Sequence, residues 1–360
     1  MRVAFDEQIF LLQRTGGISR YFVELADFLS RTAGVEVIRP QGPIANELAA
    51  TTWGLPRWRS RIGRRALVAG RRRKPPAPSP DADLIHHTFY DPAWLRRPLS
   101  IPRVVTVYDM IPEALPDQVP SGVHLAKREY VASADLILTI SEFTRDELLR
   151  YLGTPDAPVV VTPLGVHRRF AAGAPRPSGF PRHYLLYVGQ RAGYKDFTTL
   201  LCALAADPTL PDLMAIGGGP WTSAERQAMA VLAVSRRVHH RELGDPELVR
   251  AYTHAAAFVM TSRSEGFGLP LLEAMSAGTP AVAARAGALP EIGGTAISYF
   301  PPGDHEALAE LLAQLLADPD RRDAMSRSGR LRARGYTWER TAAATAAAYH
   351  QLLAGTDRSG

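Results

Sequence analysis

Cysteine is almost missing from this chain: Cys202 is the single one in 360 residues. One thiol excludes an internal disulfide framework and suits a reducing compartment. Long apolar runs are missing as well. Nowhere do about 18 apolar residues follow one another, so no spanning helix is expected and any membrane contact should be peripheral. The start, Met1-Arg2-Val3-Ala4-Phe5-Asp6, has no charged segment followed by an apolar one. It reads as a strand, no secretory leader is expected, and the expected location is cytoplasmic, peripheral to the inner membrane face if attached at all. Disorder is excluded by 46% hydrophobic against 22% charged residues. The length exceeds one ordinary core and suits two domains of about 150 to 200 residues.

A strong excess of one charge is also lacking, since 42 Lys and Arg against 36 Asp and Glu leave a net +6. The distribution is uneven, however. Arg57 to Lys74 holds nine of the 42 basic residues and no acidic one, with Trp58, Ile62, Leu67 and Val68 interleaved. Two readings stand: a solvated loop running into Lys74-Pro75-Pro76-Ala77-Pro78, or a basic amphipathic segment for an anionic membrane surface. Nucleic acid is not an expected partner, because no recognition motif accompanies the charge.

Against these absences stands one dense stretch, Ser264-Glu265-Gly266-Phe267-Gly268-Leu269-Pro270-Leu271-Leu272-Glu273-Ala274-Met275. The apolar run before it, Ala256 to Thr261, has strand length, and Leu269 to Ala277 carries helical spacing. Pro270 suits a first helical turn, and Gly266 and Gly268 allow backbone amides to approach a ligand. Amides and helix dipole together make an anion site. Glu265 and Glu273 bracket it, so a ligand with both a phosphate and hydroxyls fits, as in a nucleotide sugar.

Both halves of the chain alternate short apolar runs with helical ones, which predicts mainly parallel sheets in an α/β fold. In the first half, strands are expected at 2–5, 35–38, 84–86, 104–107, 136–139 and 159–162. A glycine loop with Gly16, Gly17 and Arg20 should lead into a helix over 21–29, the opening of a Rossmann-like unit. Ligands of such sheets lie beyond the strand carboxyl ends. There the sequence has His86-His87-Thr88, Tyr108-Asp109-Met110 and Ser141-Glu142-Phe143-Thr144, the last reading better as a helix cap. His86 and His87 should point to opposite faces, so they do not form a shared metal sphere. Asp81-Ala82-Asp83 lies before its strand, away from the expected crevice, and no metal site is expected.

Ala171 to Gly179 is small and proline-rich and reads as a linker. The grammar then restarts: a strand over 184–188, a loop with Gly189, Arg191 and Lys195, a helix over 197–205, and strands at 213–216, 281–284 and 297–300. Arg191 and Lys195 can neutralise a diphosphate and stabilise the charge on a departing group. The expectation is two Rossmann-like domains facing each other across a central cleft.

Glu265 to Glu273 resembles the E-x7-E motif of retaining, GT-B-fold glycosyltransferases of family 4, and Val188-Gly189-Gln190-Arg191 through Lys195 is similar to that family's diphosphate loop. Gln8-Ile9-Phe10, Gly16 to Tyr21 and Tyr108 to Glu113 resemble a bacterial mannosyltransferase-like branch that builds O-antigen and related polysaccharides. The resemblance runs from Met1 to about Leu353. It implies an acceptor domain over 1–170, a donor domain over 171–337, and a last helix, 338–355, crossing back to the first domain. It implies that Arg191 and Lys195 grip the diphosphate, Glu265 meets hydroxyls of the transferred sugar and Glu273 holds the ribose. Amides around Phe267, Gly268 and Leu269 would meet the phosphate, while Gly16 and Gly17 leave room for donor phosphate and acceptor. The leaving phosphate would deprotonate the acceptor, so neither carboxylate serves as base and no metal or other cofactor is needed. Many members have histidine where this chain has Tyr108; Asp109 then becomes the better catalytic candidate, with Arg20, His86, His87 and Tyr108 as weaker sugar or acceptor contacts. The implied donor is a nucleotide-diphosphate hexose, GDP-mannose first, and the acceptor a glycan or lipid-linked hydroxyl. Two alternatives stay open: a nucleotide-sugar epimerase or sugar phosphorylase on the same fold, and a non-catalytic basic adaptor.

Overall fold

The computed structural model describes residues 1–31, 34–58, 68–70, 75–119, 126–171, 173 and 175–356. The chain divides into two units, Met1–Pro116 with Pro120–Gly165 and Trp338–Gly360, and Asp117–Val119 with Val166–Thr337. Each is a parallel sheet flanked by helices.

In the first unit the strands are β1 (Arg2–Phe5), β2 (Glu36–Ile38), β3 (Leu84–His87), β4 (Arg103–Val107), β5 (Leu136–Thr139) and β6 (Val159–Val161), ordered β2-β1-β3-β4-β5-β6. All pairings are parallel, with Val3 beside Leu84 and Val105 beside Ile137. Both faces of the central strands are covered, so β3, β5 and most of β4 are buried, including the polar His86, His87, Thr106 and Thr139 they carry. The second unit contains β7 (Tyr184–Val188), β8 (Asp212–Ile216), β9 (Val238–Arg241), β10 (Ala257–Met260), β11 (Ala281–Ala284) and β12 (Ser298–Phe300), ordered β12-β11-β10-β7-β8-β9. Its core joins Leu185 and Tyr187 of β7 with Phe197, Leu200 and Leu204 of the next helix and Leu308 and Leu312 of a later one.

Both orders reverse direction once, between β1 and β3 and between β7 and β10. Loops leaving two such neighbours diverge to opposite faces and open a crevice at their carboxyl ends. The motif helix runs from Leu269 to Ala277 with Pro270 in its first turn. Arg330 donates to the carbonyl of Ala277 at 3.0 Å, placing a cation at the negative end of that helix.

Two elements depart from the expected pattern. Strand β9 (Val-His-His-Arg) has one aliphatic residue, too few for an apolar signal; as an edge strand it needs only one partner, β8. The helix expected from Tyr21 begins at Gly17 and ends at Arg31. Its first turn is tied down by Gln13, whose Oε1 accepts from the Ser19 amide at 3.3 Å, and by the Gly16 carbonyl, which accepts from the Arg20 amide at 3.1 Å and the Ser19 hydroxyl at 3.0 Å. Capping from a preceding turn, the helix Gln8–Leu12 and its exit, leaves no periodic trace in the sequence.

The last helix, Trp338–Thr356, returns to the first unit and packs on the Gly17–Arg31 helix and β5. Trp338 lies 6.2 Å from the Tyr21 ring, and the Thr341 hydroxyl donates to the Pro163 carbonyl at 2.6 Å. Tyr349 is fully buried with its hydroxyl 2.6 Å from His86 Nδ1, while His86 Nε2 lies 2.8 Å from the Thr106 hydroxyl. Burial, reinforced by neighbouring His87, pushes the His86 imidazole down to about 3, so it stays neutral and acts as one donor and one acceptor. Among the described residues no helix is long and apolar enough to cross a membrane.

Tyr349→Phe strands one buried His86 nitrogen and is expected to lose about 1 to 3 kcal/mol in urea unfolding. The pH dependence has a definite sign. The unfolded chain protonates this imidazole below 6.5 whereas the native one resists down to about 3. Stability therefore falls as pH falls through that window, by at most about 1.4 kcal/mol per pH unit, and the contribution is complete above it. The slope of unfolding free energy against pH should be steeper in the wild type than in His86→Gln; equal slopes would contradict the neutral, buried assignment.

Candidate active site

The crevice of the second unit forms where β7 and β10 lie side by side, with Leu185 paired to Ala257 and Leu186 to Phe258. The loop after β7 passes through Gly189 and a single 3-10 turn, Gly193–Lys195, before the helix Phe197–Ala206. The loop after β10 runs from Thr261 to Gly268. Three bonds tie the loops together: Thr261 Oγ1 donates to the Lys195 carbonyl at 2.9 Å, the Arg263 amide to the Tyr194 carbonyl at 2.7 Å, and Arg263 Nε to Asp196 at 2.9 Å. On this frame Lys195 Nζ donates to Glu265 Oε1 at 2.6 Å.

The pair is largely withdrawn from water, with side-chain exposures of 20% for Lys195 and 10% for Glu265. Burial works against the ammonium, but the charge and hydrogen bond of Glu265 outweigh it and raise the Lys195 pKa above its ordinary value. Lys195 is therefore a fixed cation at any physiological pH, suited to meeting an anion and unsuited to taking up a proton. Glu265 is held from behind: the Ala288 amide donates to its carbonyl at 2.8 Å. Gly287 makes this approach possible, for at φ +57° a Cβ there would lie 2.4 Å from the Glu265 nitrogen. Phe267 is buried edge-on to Tyr336, and Gly268, at φ +98°, caps the helix start. Pro270 has no amide and the Leu271 and Leu272 amides return to the Gly268 carbonyl at 3.0 and 3.1 Å, so Leu269 contributes the outermost amide at the positive end of this nine-residue helix. Glu273, in the second turn, is buried, with Tyr252 donating to its Oε2 at 2.9 Å.

Arg191, expected beside a diphosphate, is engaged with protein groups. Its side chain is 2% exposed. Nε donates to Glu225 Oε1 at 2.6 Å, Nη1 to the Gly217 carbonyl and Nη2 to the Gly219 carbonyl at 2.8 Å, with the guanidinium 4.4 Å from the Trp221 ring. All three nitrogens are engaged with protein, so this arginine shapes the Gly217-Gly218-Gly219 loop after β8. Glu225 is shared, since it also accepts from the Thr222 amide at 2.7 Å in a capping box. Burial would raise its pKa, but Arg191 and Thr222 hold it below the ordinary carboxylate value. Nothing in the residue spacing distinguishes an arginine that reaches ligand from one that braces a neighbouring loop.

In the first unit Gly16 and Gly17 are exposed at the start of their helix, with Arg20 one turn in and half-buried. His86, as described, spends both nitrogens within the unit. His87 Nδ1 donates to Asp6 Oδ2 at 2.7 Å, which sets the imidazole tautomer. Asp6, which strand-end reasoning passed over, also accepts from Thr88 Oγ1 and Gln8 Nε2, both at 2.5 Å, and from the Thr88 amide at 3.1 Å. Burial raises its pKa, but His87, Thr88 and Gln8 together leave it lowered. Tyr108 is buried, its hydroxyl donating to the Thr88 carbonyl at 3.2 Å, and burial raises its pKa. Asp109 closes a turn on the Ile111 amide at 3.1 Å, and its carbonyl accepts at 2.8 Å from Lys127, a buried lysine also paired to Glu113 at 2.8 Å. Lys127 looks in sequence like an ordinary helical surface lysine, so nothing flagged it. A cavity of about 520 Å³ lies beside the ends of β1 and β2, walled by Phe5, Ile38, Arg39, Pro78, Ile85 and Trp94.

Asp81 and Asp83 both serve Arg2, at 3.0 Å to its side chain and 2.6 Å to its amide. The basic segment Arg57 to Lys74 lies mostly outside the described residues; within them Arg57 pairs with Glu47 at 3.0 Å and Trp58 is exposed.

Two doubly wound parallel sheets, one carrying an ammonium-carboxylate pair at its switch point beside a helix start, define an α/β enzyme of the GT-B fold class. The model of glycosyl transferases group 1 matches residues 176–332, and that of glycosyltransferase family 4 matches residues 15–170. The chain is 30% identical over 287 residues, 75% of each chain, to O-antigen chain mannosyltransferase B of Escherichia coli. It is also 30% identical over 225 residues to the MMP alpha-(1->4)-mannosyltransferase of Mycolicibacterium hassiacum, covering 61% of this chain and 54% of that protein. Among solved structures, Anabaena HepE in complex with UDP and glucose superposes with a TM-score of 0.75 at 17% identity, over 97% of this chain and 99% of that one. The chain belongs to the group 1, family 4 glycosyltransferases and is a transferase enzyme.

If Arg191 acts by bracing the glycine loop, removing its carboxylate partner should reproduce its loss. Glu225→Gln and Arg191→Gln are both expected to lower transfer about tenfold, the scale of one charged hydrogen bond. Initial-rate kinetics check this; a crippled Arg191→Gln beside a fully active Glu225→Gln would put Arg191 on the substrate instead.

Proposed function

We propose that the chain is a retaining hexosyltransferase that takes its sugar, mannose by first preference, from a nucleotide-diphosphate donor bound by the second unit. The acceptor is a hydroxyl of a glycan, glycolipid or other small molecule, handled by the first unit. The observation that carries this reading is the Lys195–Glu265 pair at the β7/β10 switch point beside the amino end of the Leu269–Ala277 helix. A cation beside the positive end of a helix suits two phosphates, and a carboxylate one hydrogen bond away suits sugar hydroxyls. Mannose as the transferred sugar is supported by the two relatives whose names specify mannosyl transfer.

The reaction breaks the bond between the anomeric carbon and the phosphate oxygen and forms one to the acceptor oxygen on the same face. The acceptor proton passes to the departing phosphate. Lys195 stabilises the negative charge that collects on that phosphate, and the helix amides add to it without reorganising. Glu265 accepts from a donor-sugar hydroxyl, fixing the ring, and Glu273 accepts from the ribose. Neither is a base, which is consistent with Glu265 Oε1 already accepting from Lys195 Nζ at 2.6 Å. No cofactor is required, because the charge a metal would supply comes from the ammonium and the helix. Attachment to an anionic membrane face through Arg57 to Lys74 rests on sequence charge alone.

Lys195→Ala and Glu273→Ala are each expected to reduce transfer by about a hundredfold or more in protein that still folds, although each removes a bond to a buried partner, Glu265 or Tyr252, and costs about 1 to 3 kcal/mol of stability. Full activity in either folded variant would remove the proposed mechanism. Transfer should persist in excess EDTA, and proton NMR of the first-formed product should show the anomeric configuration of the donor. A strict divalent-metal requirement or an inverted product would each overturn the corresponding part of the reading.

A further inference from the structure

Lys127 opens the helix Lys127–Ala132 of the first unit and is fully buried. A buried ion pair is weak support for stability, because apolar side chains of like volume often serve as well. What a lysine supplies and a methionine does not is direction. Nζ donates to the Asp109 carbonyl and to Glu113 Oε2, both at 2.8 Å, and so grips the turn after β4 at two points. The turn needs that grip. The helix after it, Ile111–Ala114, has four residues and no side-chain cap from Met110, far short of the length at which a helix holds itself. The Lys127 helix is braced in its turn, for the buried Tyr130 donates its hydroxyl to the Asp91 carbonyl at 2.7 Å and accepts from Gln8 Nε2 at 3.1 Å. Gln8 also bonds Asp6 at the β1/β3 switch point. One short helix thus ties the loops after β1, β3 and β4 into a single frame.

What the frame presents is Asp109. Across residues 104–111 it alone is not buried. Tyr108 beside it is turned inward onto the Thr88 carbonyl. Asp109 Oδ1 accepts from the Ile111 amide at 3.1 Å, which sets the plane of the carboxylate, while Oδ2 bonds no described residue. An ionised carboxylate only accepts, so at the carboxyl end of a strand this oxygen suits a hydroxyl and repels a phosphate. We propose that Asp109 Oδ2 accepts a hydrogen bond from a hydroxyl of a neutral acceptor sugar, and that Lys127 is the positioning residue that holds the β4 turn, and with it this carboxylate, in place. The proposal rests on the reading of the first unit as the acceptor side of a glycosyltransferase. Fixing the turn beforehand spares the acceptor the entropy of ordering it on binding.

The test is a double-mutant cycle on the intact chain, read as initial rates with GDP-mannose as donor and the methyl α-glycosides of mannose, glucose, galactose and N-acetylglucosamine as acceptors. With the best of these acceptors, Asp109→Asn should raise the acceptor KM about tenfold, the effect of one hydrogen bond to a charged group, and leave the donor KM unchanged. Lys127→Met should raise the acceptor KM by a similar factor. On the Asp109→Asn background it should add less than about twofold, because the lysine acts through that turn. Its melting temperature should fall in both backgrounds, since a buried ion pair is lost in both, whereas the acceptor KM should move in one. Should Lys127→Met fail to fold, Glu113→Gln takes its place in the cycle, with the half-exposed carboxamide still able to accept from Lys127. An unchanged acceptor KM in folded Asp109→Asn would overturn the proposal and leave the transferase reading standing. Equal effects of the second substitution on acceptor KM in both backgrounds would overturn the positioning role. Absence of wild-type transfer to every acceptor in the set would overturn the mannosyl-transfer reading and this proposal together.

Discussion

The second unit depends on one costly contact, the ion pair between Lys195 and Glu265 at the β7/β10 junction. Withdrawing two charges from water costs several kcal/mol per ion unless geometry and further bonds compensate. Here the compensation is visible: a 2.6 Å charge-assisted bond, two loops cross-linked through Thr261, Arg263 and Asp196, and a glycine at 287 that lets the β11 turn close on the Glu265 backbone. Each support comes from a different strand end, and each exists because the strand order makes β7 and β10 neighbours and β11 the next in line. The result is a cation whose charge is fixed before any ligand arrives, at the amino end of a helix. Preorganisation of that kind does not have to be assembled during the reaction.

The first unit is doubly wound as well, but with one strand rather than two on the short side of its switch, and it uses that switch point differently. At the β1/β3 junction Asp6 accepts from His87, Thr88 and Gln8, and so is saturated by protein donors. Such a carboxylate locks two strands together. One strand along, at the turn after β4, Asp109 is half-exposed and its backbone carbonyl is held by Lys127, a buried lysine paired to Glu113. The last helix closes the same unit through Tyr349, whose hydroxyl bonds a neutral histidine that two flanking aromatic rings, Phe5 and Phe22, meet edge-on. Two doubly wound sheets of one chain thus carry a structural network at one switch point and a charged pair at the other.

Much of this was legible in the residues. The strands came from unbroken apolar runs, which occur when both faces of a parallel sheet are buried, and the motif helix from its spacing and from Pro270. Glu265, Glu273 and Lys195 were legible because strand-loop-helix order places them at carboxyl ends. Strand β9 was not, since an edge strand can be built from Val238, His239, His240 and Arg241 with little apolar content. Nor were Tyr252, Glu225 and Lys127, whose partners lie 21, 34 and 14 residues away. Contacts of that kind have no period, and a buried lysine reads like any other.

By itself the sequence determined the element types, the parallel sheets, the family and the identity of the acidic pair, because each is written in local spacing and turn chemistry. Tertiary structure alone decided what each charge does. Arg191 and Lys195 are four residues apart in one loop, yet one guanidinium turns into a ring of glycine carbonyls and the other cation reaches a carboxylate on the adjacent strand's loop. The difference lies in which loop each side chain faces once β7 is packed between β8 and β10, and strand order is a property of the folded sheet.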